Sequence, residues 1–131
     1  MTQMLVNKMI TPDGTVIYSR HRHDYTEYVD KNGELYVLDG GLDYTRTSSN
    51  KVPATYAPVY DTDSHDLIRE EFSWGSYGKD GKQPLTRRPL KDLEDDHIEA
   101  ILATQHQIPQ YIRKIFLDEQ QFRVINQPIQ D

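Results

Sequence analysis

Apolar and polar residues change rhythm twice along the chain. Up to residue 47 the apolar positions fall in short runs rich in β-branched and aromatic side chains, each bounded by turn chemistry. Thr11-Pro12-Asp13-Gly14 separates Lys8-Met9-Ile10 from Thr15-Val16-Ile17-Tyr18, and Asp30-Lys31-Asn32-Gly33 separates residues 25–29 from residues 34–38. Asp-Gly and Asn-Gly tolerate the positive φ that tight hairpins require, so residues 1–47 are expected to form an antiparallel β-meander. Asp39-Gly40-Gly41 ends the last long strand, and residues 42–47 can add another. From 48 to 64 the composition turns to Ser, Asn, Thr, Asp and Pro, with Pro53 and Pro58 interrupting any ladder, so this segment reads as a long loop.

Beyond residue 64 the period lengthens. Ser64 can cap a short helical turn through Ile68, residues 70–74 read as extended, 75–83 as a glycine-rich loop, and 84–90 as a short strand. In the last third, Ile98, Ile101 and Leu102 share one helical face, and Ile112, Ile115, Phe116 and Phe122 share another. Pro109 suits the first turn of the second helix. The expected architecture is α+β: a single domain over residues 1–131, with an N-terminal meander (1–47), a loop (48–64), short strands around a glycine-rich loop (65–90) and a C-terminal helical hairpin (91–125).

Composition narrows the function classes. The chain has 131 residues and no cysteine, which removes disulfides, thiolate metal sites and thiol nucleophiles and fits a reducing compartment. There is no membrane-spanning apolar run, and the first ten residues lack the basic region and apolar block of a signal peptide. A net charge of -6 argues against binding long nucleic acids, which depends on a basic face. The charge is uneven, however: residues 51–90 carry six basic and six acidic side chains, whereas residues 91–131 carry four basic and eight acidic. Lys79, Lys82, Arg87, Arg88 and Lys91 form a basic strip directly before the acidic cluster Asp92, Glu94, Asp95 and Asp96. Acids in the first turn of a helix and lysines in a solvated loop account for this layout. The alternative is an anion site for a small phosphate-bearing molecule.

Three stretches carry candidate chemistry. If Arg20-His21-Arg22-His23-Asp24 is extended, His21 and His23 share one face, but a metal site needs a third or fourth ligand and none stands at a diagnostic spacing; no metal and no cofactor are expected. The cluster, with the Gly40-Gly41 turn, reads instead as an anion site or as a structural hydrogen-bonding unit. Residues 75–84 suggest a phosphate loop, yet Gly75 and the Gly81-Lys82 pair are one residue too far apart. Gln83 replaces the required hydroxyl, and Pro84 stands where the helix should continue. Trp74 and Tyr77 flank this loop and can stack on a purine, while Arg87, Arg88 and Arg113 can pair with phosphate. Glu70 and Glu71 would point to opposite faces of a strand. No arrangement of nucleophile, base and acid is legible, and no catalytic residue is assigned.

The wording of four segments resembles a family of small phage proteins: residues 19–25 (SRHRHDY), 37–44 (VLDGGLDY), 74–85 (WGSYGKDGKQPL) and 96–102 (DHIEAIL). The pattern is similar to the first described Thoeris anti-defence family, which sequesters the cyclic ADP-ribose signals made by bacterial TIR-domain enzymes. The resemblance implies capture without cleavage, homo-oligomers (dimer or higher), action in the host cytoplasm and, in some members, separate sites for cyclic oligonucleotides. Combined with side-chain chemistry, it places Arg87, Arg88 and Arg113 at a pyrophosphate, Trp74 or Tyr77 at adenine, and Asp96 or His97 at ribose or base edges. Arg20, His21, Arg22, His23, Gly40 and Gly41 would form a second anion site. The competing readings are a metal-assisted cyclic nucleotide phosphodiesterase using His21 and His23, and a protein that inhibits a host enzyme by direct interaction through the 48–64 loop or the acidic helix start.

Overall fold

A computed structural model describes residues 2–76, 82 and 84–127. The fold is α+β, with antiparallel strands before residue 61 and helices dominating after it. Contacts divide the chain into two compact units, 1–62 and 63–131.

The first unit holds two sheets rather than one continuous meander. β1 (Met4–Ile10) pairs with β2 (Val16–Ser19) on one edge, through the turn in which the Gly14 amide donates to the Thr11 carbonyl at 2.9 Å. Its other edge takes β6 (Thr55–Tyr56) and β7 (Val59–Tyr60). The second sheet runs β3 (Thr26–Val29), β4 (Leu35–Asp39), β5 (Arg46–Thr47), with the Gly33 amide closing the first turn on Asp30. Met9, Ile17, Tyr36 and Leu38 pack as a buried cluster with Tyr28 and Ala54 against it, so alternate residues of both sheets face one core. Asp13 joins the two hairpin turns: its carboxylate accepts from the Thr11 hydroxyl, from Tyr28 Oη at 2.7 Å and from the Lys31 amide at 3.2 Å. Those hydrogen bonds, the Thr11 and Tyr28 hydroxyls foremost, hold its pKa well below the usual carboxylate range.

Two expectations for this unit need correction. The 48–64 segment is not a plain loop, because residues 55–60 extend the β1 sheet on its outer edge, where Pro58 displaces no required ladder bond. Of residues 42–47 only Arg46 and Thr47 are strand, since residues 41–43 form a turn in which the Asp43 and Tyr44 amides both donate to Gly40 O.

In the second unit, Ser64 caps α1 (His65–Glu71) by accepting from the Leu67 amide at 3.3 Å. The helix runs past Ile68, so Glu70 and Glu71 are helical rather than extended. β8 (Ser73–Ser76) and β9 (Thr86–Pro89) form a two-stranded ribbon that leads through a 3₁₀ turn at Leu90–Asp92 into α2 (Asp95–Thr104) and α3 (Gln110–Ile125). Pro109 lies just outside α3, as its N-cap residue, rather than in the first turn. Ile98 and Ile101 of α2 and Ile112, Ile115 and Phe116 of α3 are buried, as their spacing requires. Phe116 makes two T-shaped ring contacts, with Phe72 at 6.0 Å and Trp74 at 5.3 Å between centroids. Such contacts contribute about 0.5–1.5 kcal/mol each beyond area burial.

Candidate functional site

The β8–β9 ribbon fixes the geometry of three candidate residues. Its register sets Trp74 opposite Arg88 and Gly75 opposite Arg87. Directly opposed residues share a face and successive residues do not, so Trp74 and Arg88 lie on one face of the ribbon and Arg87 on the other. The pair Arg87-Arg88 therefore cannot grip one pyrophosphate from the same side. Gly75 lets the Leu85 and Arg87 side chains lie close over the second face: a Cβ there would stand 3.1 Å from Leu85 Cδ1 and 3.9 Å from Arg87 Cγ and Cζ. Both arginines are exposed, and neither guanidinium has a hydrogen-bond or ion-pair partner among the described residues. Trp74 is half-buried and meets Phe116 in a T-shaped ring contact. Tyr77 lies outside the described residues.

Arg113 does not join this group as a free cation. α2 ends with no basic residue in its last turn, and Arg113 supplies the missing donors, giving hydrogen bonds to Leu102 O at 3.2 Å and Gln105 O at 3.3 Å. Helix C-termini leave carbonyls unpaired, and a guanidinium satisfies them well. Asp96 is exposed in the first turn of α2, where the macrodipole favours a carboxylate, and His97 is half-buried on the same helix.

The Arg20–His23 segment is a turn, not a strand. β2 ends at Ser19, and His23 adopts φ 64°, the left-handed region. The alternation that would align His21 with His23 is thereby lost: His21 Nδ1 sits 3.2 Å from Arg22 O, while His23 Nδ1 sits 2.9 Å from Tyr44 Oη. Gly40 and Gly41 do meet this turn. At Gly41 (φ +57°) a Cβ would fall 2.2 Å from the His21 carbonyl carbon, and at Gly40 (φ +114°) 1.9 Å from Tyr44 O. Both glycines let backbones touch at this turn: the Gly41 amide donates to Ser19 Oγ at 2.8 Å, and Gly41 O accepts from buried Asn7 at 2.7 Å. Among the described residues no group of three or more His, Asp or Glu side chains is arranged to hold a metal ion.

The densest charged cluster was not foreseen. Glu119 is fully buried and accepts from His65 Nε2, Arg69 Nε and Arg69 Nη2 at 2.9 Å each, and from Arg123 Nε at 2.7 Å. Burial alone would raise its pKa, but the hydrogen bonds of Arg69, Arg123 and His65 outweigh it and hold the carboxyl at about 2. A carboxylate offers about four lone-pair sites, and all are taken. Arg123 also reaches Asp95 at 2.6 Å and Leu90 O at 3.1 Å. This cluster locks α1 and the 3₁₀ turn onto α3 and has no capacity left for a ligand. Its signal was present in the sequence as an acid inside the apolar stripe of α3, with an arginine four residues later.

No helix among the described residues is long and apolar enough to cross a membrane. Compared with known proteins, the chain matches no family model, no curated protein and no solved structure.

Proposed function

We propose that this chain is a phage anti-defence protein that captures a cyclic nucleotide immune signal, a cyclic ADP-ribose isomer or a cyclic oligonucleotide, and holds it without cleaving it. It acts in the host cytoplasm as a homo-oligomer. The motif resemblance supplies the ligand class. The observation that carries the site is the β8–β9 ribbon, which sets exposed Arg88 opposite half-buried Trp74, with no side-chain partner for Arg87 or Arg88 among the described residues. In a chain with net charge -6, an exposed guanidinium beside an aromatic ring suits an anion with a flat base: Arg88 pairs with phosphate and Trp74 stacks on adenine. Arg87 addresses the opposite face. The phosphodiesterase reading has no comparable support: His21 and His23 engage different partners, Arg22 O and Tyr44 Oη.

The test is incubation with a cyclic ADP-ribose isomer, removal of free ligand, and heat release. Stoichiometric recovery of intact ligand supports capture. Recovery of a cleaved product, or no thermal shift with any cyclic nucleotide tried, sinks it.

A further inference from the structure

Asp39 is 3% exposed, at the end of β4. Its Oδ2 accepts from Arg46 Nη2 at 2.7 Å and faces Tyr44 Oη at 3.4 Å; its Oδ1 is buried without a partner among the described residues. Tyr44 Oη lies 2.9 Å from Nδ1 of His23, whose imidazole is exposed. The hydroxyl has one proton to give. Were it given to His23, Asp39 would face oxygen lone pairs at Oδ2 while already lacking a donor at Oδ1, an arrangement that is costly for a buried carboxylate. Given to Asp39, it leaves the Tyr44 oxygen as acceptor for His23 Nδ1–H. The neutral imidazole then carries its proton on Nδ1 and turns a lone pair on Nε2 outward.

The backbone reinforces this arrangement. His23 is the one described non-glycine residue at positive φ, in a turn braced by the close approach of Gly41 to His21 and by the Asp24 amide on His21 O at 2.9 Å. Left-handed residues outside glycine are uncommon and concentrate at functional positions. Arg22, in the same turn, is exposed and without a partner among the described residues.

We propose that this turn is a separate ligand site for a hydroxyl-bearing phosphate ester, in which His23 Nε2 accepts from the hydroxyl, Arg22 pairs with the phosphate, and Tyr44 with Asp39 positions the imidazole. The site is independent of the β8–β9 ribbon. Two readouts on the full chain test it. Multiple-bond ¹H–¹⁵N spectra, at a pH where imidazole is neutral, are expected to show His23 as the Nδ1–H tautomer; the Nε2–H tautomer overturns the assignment. Titration with ribose 5-phosphate is expected to shift His23 Nε2 saturably while leaving His97 and His106 in place. Tyr44→Phe should weaken that binding about fivefold, the worth of one hydrogen bond, and release the tautomer. Inorganic phosphate, which offers charge but no sugar hydroxyl, should bind about fivefold more weakly. An unmoved His23, equal shifts at all three histidines, equal affinity for both probes or an unaffected Tyr44→Phe variant each overturns the proposal. Capture of a cyclic nucleotide by the Tyr44→Phe protein reports separately on the ribbon site.

Discussion

Replacing Glu119 with glutamine removes the charge around which Arg69, Arg123 and His65 converge. The amide keeps one acceptor oxygen but turns an NH₂ group toward guanidinium donors at 2.7–2.9 Å, so donors face donors in a site with no solvent exposure. Removing one partner of a buried ion pair costs about 3–5 kcal/mol. The pKa gives a second route to the number: a carboxyl held at about 2 against an ordinary 4.5 corresponds to about 3 kcal/mol of stability when ionised. Because the folded pKa is depressed, that stability is fully present above about pH 4.5 and is lost as pH falls toward 2. The assay is urea unfolding followed by Trp74 fluorescence; as the only tryptophan, in T-shaped contact with Phe116 one turn before Glu119, it reports on the second unit alone. The difference between wild type and Glu119→Gln should be about 3 kcal/mol at neutral pH and shrink steadily through the acid range. A neutral-pH difference below about 1 kcal/mol, or one that does not change between pH 5 and pH 2, refutes the role given to this carboxylate.

Other substitutions separate binding from scaffolding. Arg88→Gln should lower affinity for a cyclic ADP-ribose isomer about tenfold or more in calorimetry with the melting temperature unchanged, since its guanidinium has no partner to lose among the described residues. Arg113→Ala should do the reverse, costing about 1 kcal/mol by uncapping α2 and leaving ligand affinity alone; a large affinity loss would restore it to the pyrophosphate. Gly41→Ala should destabilise the first unit by about 3 kcal/mol in thermal unfolding, because it adds left-handed strain to a clash with the His21 backbone.

The parts of the fold legible in the sequence are those where one local rule acts alone. Asp-Gly at 13–14 and Asn-Gly at 32–33 demanded hairpin turns, and the apolar spacing of α2 and α3 demanded helices. β6 and β7 escaped notice because strands of two residues carry no period, and their ladder partner, β1, lies some fifty positions away in sequence. The Arg20–His23 turn is hidden for a related reason: alternation assumes an extended backbone, and only the tertiary approach of Gly41 shows that the strand has already ended at Ser19. At the candidate site, extended segments near Trp74 and Arg88 are legible, but their pairing is not, because the register depends on how the two strands meet, and the capture of Arg113 by the end of α2 depends on how two helices meet. Glu119 was passed over because a carboxylate in an apolar stripe reads as a surface residue until its partners, fifty residues earlier on α1, are in place.

Taken together, the cations of this acidic chain sort by what they face. Arg46, Arg69, Lys91, Lys114 and Arg123 each meet a carboxylate, and Arg113 meets carbonyls. With acids outnumbering bases 21 to 15, a guanidinium, which offers five donors in a fixed fork, has ample opportunity for an internal partner. Arg22, Arg87 and Arg88 have none among the described residues. An unpaired lysine is readily hydrated and signifies little, whereas guanidinium is more weakly hydrated and favours bidentate anions. Arg88 stands beside Trp74 on the ribbon, and Arg22 beside an oriented histidine at the turn. The same net charge that argues against long nucleic acids thus sharpens the search for a small phosphorylated ligand, because few guanidinium groups among the described residues are left without a partner.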